Sequence, residues 1–504
     1  MRLIRGTPVH RINLRARINH ANHGESGALS ADSGHAGCNE NSRHAGIAGS
    51  RLLGGDATIS LLFMIAKTLL PQRVVNPGSW ARRGARSREG SCACPGWAGW
   101  AIVPHMRASE IRQLIRMKPV ELDTTRRRLG ACHDIGDLRA MGRRLIPRPV
   151  FDYVDGGADE ELSMEGNLRA FRRWRFQPRA LPEITTVDTS ARLLERDLPL
   201  PLALAPTGYT RMMHPGGEIA AARAAQRYGL PYALSTMATT TIEDLAAAAQ
   251  PDLWFQLYVQ RDSGMNKDLV DRAAASGYRV LMVTVDTIVT GNRTRDRRNG
   301  LLIPPELTIQ TLASIAAKPG YWVRMLRSDP IEFANFAGQR GFTIHRTGDL
   351  FNPAASWDDI AMLRDRWPGK LMLKGPISPS DARRAVSLGV DGLQLSNHGG
   401  RQLDRAIAPV DLIAPVREAV GPEVSLVVDS GVRHGSDIAV ALALGADACS
   451  IGRAYLYGLM AGGEPGIDKA IDILTDQFRR TLHLLGMRSA AELRAHGREL
   501  LVAP

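Results

Sequence analysis

The stretch "KLMLKGPISPSDARRAVSLGVDGLQLSNHGG", residues 370–400, decides the fold. It holds two short apolar runs, KLMLKG (370–375) and GLQLSN (392–397), with PSDARRAVSLG between them. The runs have the length of strands. The stretch between them has helical character, begins beside a serine cap and ends at a glycine. Strand, helix and strand within about 30 residues make a parallel βαβ unit.

The same alternation extends in both directions. Upstream lie LPLALAPTG (200–208), YALSTM (232–237), WFQLYV (254–259) and RVLMVTVD (279–286); downstream lie SLVVDS (425–430) and ACSIGR (448–453). Helical stretches such as GGEIAAARAAQRYG, NKDLVDRAAASG and GSDIAVALALGA separate most of them. Eight strands alternating with helices over about 250 residues fit a (β/α)8 (TIM) barrel at about residues 200–460 better than an open sheet. No glycine-rich loop follows the first strand, which disfavours a dinucleotide-binding fold. A helical extension, about residues 110–170 and containing VFDYVDGGADEE (150–161), precedes the barrel. Residues 291–356 form a long loop between the fourth strand and its helix, of the size usual for functional lids or partly disordered segments. Within it, YWVRMLRSDPIEFANF (321–336) is expected to form an amphipathic or interfacial helix.

The whole chain has 504 residues and a net charge of +13. Residues 1–105 carry 13 Lys+Arg against 5 Asp+Glu, so they supply +8 of that charge. They are rich in Gly, Ser, Ala, Arg and His, and read as a disordered leader or as translation upstream of the true start, with Met106 or Met117 as candidates. The remainder, 106–504, reads as one catalytic domain. A nucleic-acid partner is not expected, because most of the basic excess lies in the leader and the remaining +5 is spread over about 400 residues. Cys38, Cys92, Cys94, Cys132 and Cys449 form neither a disulfide framework nor a metal-ligand pattern, so no metal is expected and the compartment reads as reducing and cytoplasmic. The most apolar segment, ISLLFMIAKTLL (59–70), is far shorter than the roughly 20 residues of a membrane span.

A barrel of this kind works at the C-terminal ends of its strands, and all eight runs end in polar groups. These are Pro206 and Thr207, Ser235, Gln256 with Tyr258, Thr284 with Asp286, Lys374, Ser396 with His398, Asp429, and Gly452 with Arg453. Alternation along a strand puts Gln256 with Tyr258, Thr284 with Asp286, and Ser396 with His398 on shared faces. Singly, each has a plainer reading as a cap or a packing residue; together they point at one cavity. His398 can act as a base near neutral pH, Gly399 and Gly400 permit a tight turn, and Arg401 offers a planar fork for a carboxylate. That set suits deprotonation of an acid's α-carbon or its hydroxyl. Arg293, alone, reads as a solvated charge within NRTRDRR. Asp286 reads as a cap or as the partner of His398. Gly431, Arg433, Gly452 and Arg453 follow the last two strands, where barrels often hold phosphate. A buried Lys374 requires an anionic partner.

At FDYVDGGA, LALAPTG, LSTMAT, WFQLYV, TVDT, GNR, LKG, SNHGGRQLD, DSGVRHG and IGRAYLYGL the chain resembles the FMN-dependent α-hydroxy-acid dehydrogenases and oxidases, from about residue 120 onward. It is nearest in pattern to bacterial, actinobacterial-type, quinone-linked L-lactate dehydrogenases. The resemblance implies FMN as cofactor and oxidation of an (S)-2-hydroxy acid, L-lactate to pyruvate first among them. Electrons would pass to a quinone or other acceptor. It implies His398 as the base supported by Asp286, and Tyr153, Arg293 and Arg401 as the carboxylate clamp, with Tyr258 on the substrate hydroxyl or carboxylate. Pro206, Thr207, Gly208 and Ser235 would line the flavin, Gln256 and Thr284 would hydrogen-bond its ring, and Lys374 would face N1 and C2=O. Ser396, Asp429, Gly431, Arg433, Gly452 and Arg453 would hold the ribityl chain and phosphate. It further implies a homo-oligomer, a tetramer by analogy, and a peripheral contact with the inner face of the plasma membrane through the long loop.

Two departures stand out. Met237 replaces the tryptophan of glycolate oxidases, and TVDTIVTGNR lacks the proline many relatives carry after TVDT. Alternative readings are an oxidase or monooxygenase that uses oxygen, and a catalytically silent flavin-binding scaffold.

Overall fold

The computed structural model describes residues 121–300, 309–336 and 351–502. The leader expected at residues 1–105 lies outside the described residues. Eight parallel strands close into a barrel: β1 (Leu202–Leu204), β2 (Pro231–Ser235), β3 (Asp252–Tyr258), β4 (Val280–Thr284), β5 (Lys370–Gly375), β6 (Gly392–Leu395), β7 (Ser425–Val428) and β8 (Ala448–Ile451). They pair in chain order, and β8 returns to β1 with Cys449 beside Leu202 and Ile451 beside Leu204. Strands covered on both faces read as unbroken apolar runs, which is why each was visible in the sequence.

Helices wrap the outside and start where side-chain caps place them. The Thr241 hydroxyl accepts the Asp244 amide at 2.9 Å ahead of helix Ile242–Ala248, and Ser356 forms a capping box with Asp359 ahead of Trp357–Arg366. Ser378 accepts the Asp381 amide at 3.1 Å ahead of Pro379–Ser387, as the opening stretch requires.

The barrel interior is a separate apolar layer containing Ala203, Ala233, Trp254, Met282, Met372 and Val427. Its N-terminal end is plugged by a hairpin, Ala191–Leu193 with Arg196–Leu198, which buries Leu193, Leu194 and Leu198 against that layer. Each such side chain contributes roughly 1.5–3 kcal/mol by leaving water. The hairpin's short strands carry almost no periodic signal, so the sequence did not reveal it. With the bottom sealed, access is from the C-terminal ends of the strands.

The N-terminal extension is helical: Thr124–Gly130, Ile135–Leu145, Arg148–Asp155 and Leu162–Arg172. Asp155 joins two of its helices by accepting from Arg139 Nη2 at 2.8 Å, and fastens it to the helix after β8 by accepting from the Tyr457 hydroxyl at 2.8 Å. In the long loop, helix covers only Pro319–Leu326 of the expected amphipathic segment, followed by a 3-10 turn at Ala334–Phe336. Pro330 keeps the helix from running on through the segment, because Asp329, the residue before the proline, is driven out of helical geometry. Among the described residues no helix is long and apolar enough to cross a membrane.

Candidate active site

The strand ends surround a cavity of about 860 Å³ lined from every quarter of the barrel. Of the residues singled out from sequence, Tyr153, Pro206, Thr207, Gly208, Tyr258, Arg293, Lys374, His398, Arg401, Asp429, Gly431, Arg433, Gly452 and Arg453 line it.

His398 stands at φ +58° on a turn continued by Gly399 (+68°) and Gly400 (+74°). Three successive left-handed residues explain the glycine pair, since side chains there are strained. Space explains it too. A Cβ on Gly400 would lie 2.5 Å from the Met164 amide nitrogen, and one on Gly157 would lie 2.9 Å from the Gly400 carbonyl oxygen. The DGGA turn of the extension therefore packs directly on the HGGR turn of the barrel, joined by the Ala158 amide donating to the Gly400 carbonyl at 2.8 Å. That contact delivers Tyr153 to the cavity.

His398 Nδ1 faces Asp286 Oδ1 at 3.1 Å, and its Nε2 faces the Tyr258 hydroxyl at 3.3 Å. With Nδ1–H donating to the carboxylate, the Nε2 lone pair is aimed into the cavity. Burial pushes the His398 pKa below its ordinary value and Lys374 adds to the effect, while Asp286 pulls it back up. The imidazole is thus neutral and able to accept a proton. Burial alone would raise the Asp286 carboxyl, but His398 and Lys374 bring it down to about 2, so it stays ionised. Its second oxygen is buried without a hydrogen-bond partner. Burial raises the Tyr258 hydroxyl, which remains protonated and a donor.

Opposite the base, Arg293 and Arg401 flank Tyr153, with guanidinium carbons 5.9 and 5.0 Å from its ring centroid. Arg401 Nη1 is held by the carbonyls of Tyr153 (2.5 Å) and Gly156 (3.0 Å). Arg293 Nε is buried without a partner. Neither arginine forms an ion pair within 4.0 Å among the described residues. Burial, then the Arg293 charge, push Arg401 down to about 9, the signature of a site arranged for an anion. Arg293 is therefore a cavity residue rather than the solvated charge its local sequence implied.

Beneath the cavity floor, the Ser235 hydroxyl donates to Gln256 Oε1 at 3.0 Å, and Gln256 Nε2 donates to Thr284 Oγ1 at 2.9 Å. These three form a buried polar layer rather than cavity lining. Ser396 is also fully buried and accepts the His398 amide at 3.0 Å, so it braces the base's turn where a ribityl contact was expected. Asp286 stands behind His398. Arg453 reaches the cavity, yet Nε, Nη1 and Nη2 donate to the carbonyls of Val154, Gly399 and Gly156 at 2.7–2.8 Å. Its clearest role is to tie the extension to the barrel. Arg433 lies over the Tyr457 ring, its guanidinium carbon 5.8 Å from the centroid, at the cavity end where Gly431 and Gly452 leave backbone accessible.

Lys374 is 4% exposed, lines the cavity and has no carboxylate within ion-pair distance among the described residues. A buried ammonium without a protein anion fits a bound group that carries negative charge. Together with the cavity's size and the open glycine-lined end, it meets the demands of a flavin mononucleotide.

The sequence profile of the FMN-dependent dehydrogenase family matches residues 142–499. The chain belongs to this family. The dehydrogenase is 46% identical over 392 residues to the Mycobacterium tuberculosis protein named "Putative L-lactate dehydrogenase", covering 78% of this chain and 94% of that one. It is 38% identical over 357 residues to the (S)-mandelate dehydrogenase of Pseudomonas putida, covering 70% and 90%. Against the crystal structure of a monotopic membrane protein, (S)-mandelate dehydrogenase, the TM-score is 0.71 at 35% identity, covering 74% of this chain and all of that one. FMN is the cofactor of the family, and the dehydrogenase is an oxidoreductase acting on an α-hydroxy acid.

Several lining residues escaped the sequence reading. Asp296 is buried near Arg293 and Arg401, and burial raises its carboxyl to about 6 against the pull of both arginines. It was hidden inside NRTRDRR. Thr287 and Gln402 lie inside the TVDT and SNHGGRQLD motifs, and membership of those motifs was the available signal. Tyr209, Phe333 and Phe351 bring an aromatic wall, the last two from the long loop, where no pattern foretold it.

Proposed function

We propose that the enzyme oxidises L-lactate to pyruvate and passes the electrons to a quinone at a membrane surface. The observation that carries this reading is the pairing of a neutral, Asp286-backed His398 with two arginines lacking carboxylate partners across a single cavity. Arg293, Arg401 and Tyr153 hold the substrate carboxylate, which relieves the repulsion between the two guanidinium groups. Tyr258 orients the substrate hydroxyl towards His398 Nε2. His398 takes a proton at Nε2, and ionised Asp286 stabilises the imidazolium that results. FMN, when bound, supplies the two-electron acceptor. Lys374 stabilises negative charge that develops beside it. Met237, Tyr209 and Phe333 bound the remaining space and suit a small apolar side chain.

The membrane part of the proposal rests on the long loop. Ile309, Leu312, Val323 and Leu326 are exposed on helices Ile309–Ala316 and Pro319–Leu326, with Arg324 and Arg327 beside them. Apolar side chains bordered by cations suit an anionic interface.

The decisive experiment is anaerobic stopped-flow reduction of the FMN-loaded enzyme with L- and D-2-hydroxy acids. L-lactate should bleach the flavin and D-lactate should not; no bleaching by any L-2-hydroxy acid would end the proposal. Reoxidation by a soluble quinone faster than by oxygen separates the dehydrogenase from an oxidase.

A further inference from the structure

Ser430 has an uncommon backbone and a fully used hydroxyl. It is a non-glycine residue at φ +66°, beside the cavity, in the loop after β7. A left-handed serine costs of order 1 kcal/mol relative to glycine, so something must compensate. Its hydroxyl donates to Asp429 Oδ1 at 2.6 Å. The same oxygen accepts the Gly399 amide at 2.9 Å and, more weakly, the Asn397 amide at 3.4 Å. One donor and two acceptor sites are all a hydroxyl has. Asp429 takes the proton, which leaves only acceptor capacity to face the turn. The other oxygen of Asp429 accepts from Gln394 Nε2 at 2.7 Å. An unbroken path therefore runs from a buried barrel residue, through a cavity-lining carboxylate, to the peptide that follows His398.

The rest of that turn is anchored one amide at a time. Ser396 takes the His398 amide, Asn397 Oδ1 takes the Gly400 amide at 3.0 Å, and Arg453 holds the Gly399 carbonyl. Ser430 supplies the remaining anchors, from a different strand end. Three consecutive left-handed residues have no regular structure to hold them, so these side chains fix where the imidazole points.

We propose that Ser430 is a positioning residue: its hydroxyl locks the His398 turn to Asp429, so that the base and the cofactor-holding loop keep a fixed relation. This rests on His398 being the base. Without the lock the turn loosens, His398 becomes better solvated, and its pKa returns upward towards the ordinary histidine value.

Ser430→Gly and Ser430→Ala separate the hydroxyl from the backbone. Both remove the lock, but glycine also relieves the left-handed strain. Flavin reduction at saturating L-lactate should fall roughly tenfold or more in both, with KM changing less than about threefold. The acid limb of the pH–rate profile should move to higher pH. In the apoprotein, hydrogen exchange of the peptide spanning residues 395–404 should quicken about tenfold while barrel strands stay unchanged. If Ser430→Ala does not accumulate folded, Ser430→Gly carries the test, since it lowers strain. A glycine variant with wild-type rate and pH profile, unchanged exchange in that peptide, or a rate loss abolished by saturating FMN would overturn the proposal. The exchange result does not depend on catalysis. Normal turnover in His398→Gln would refute the base assignment and leave the lock itself separately measured.

Discussion

Asp286→Asn tests the electrostatics of the base most directly. Asp286 Oδ1 lies 3.1 Å from His398 Nδ1, and the Asp286 side chain is 5% exposed. When His398 accepts the substrate proton, a positive charge appears about 4 Å from the carboxylate centre. At an effective dielectric of about 20, that attraction is worth about 4 kcal/mol. Asparagine can still accept from Nδ1–H through its amide oxygen, and a neutral hydrogen bond retains about half the strength of a charged one. The loss is then about 2–4 kcal/mol in the transition state, or roughly 30- to 1,000-fold in the reduction rate. The assay is anaerobic stopped-flow bleaching at saturating L-lactate with FMN content verified. The variant also carries a sign test. Asp286 raises the His398 pKa, so its removal lowers that pKa. The acid limb should move to lower pH even as the plateau falls. A plateau within about threefold of wild type, or an acid limb moved upward, would refute the reasoning.

Arg401→Met should lower kcat/KM for L-lactate by roughly 100-fold or more while FMN affinity stays near normal; steady-state kinetics with fluorescence titration of the apoprotein would check both. Lys374→Met should weaken FMN binding to the apoprotein and make the flavin harder to reduce, read by titration and spectroelectrochemistry. Replacing Ile309 and Leu326 together by serine should weaken sedimentation with anionic vesicles at least about tenfold without slowing reduction by soluble L-lactate. Burial and then Arg324 hold His214 down to about 4. The unfolded chain therefore binds an extra proton as pH falls below about 6.5, and stability drops by up to about 3 kcal/mol by pH 4. His214→Asn should flatten that part of the pH–stability curve, measured by denaturant melts.

The opening stretch shows what was legible locally. Lys370–Gly375, Pro379–Ser387 and Gly392–Leu395 follow from apolar runs, a serine cap and a glycine stop, all properties of neighbouring residues. The eightfold repetition of that unit is enough to fix a parallel barrel, because a crossover connection has one favoured hand and the sheet must hide both faces. His398 and Lys374 were likewise legible as rim residues, since alternation along a strand sets which side chains share a face.

Tertiary structure decided what depends on residues far apart in the chain. Arg293 sits in a run of like charges, and only the approach of Tyr153 and Arg401 turns it inward. The glycine pairs of DGGA and HGGR look like independent turns until the Gly157 and Gly400 backbones meet. Ser396 and Arg453 sit at the expected rim, yet their hydrogen bonds go to the protein's own backbone. Chemistry of the base arises where a carboxylate from β4's end, a phenol from β3 and an imidazole after β6 converge. A sequence specifies which side chains leave each strand, while charge pairing and burial, which set their reactivity, exist only once the barrel has closed.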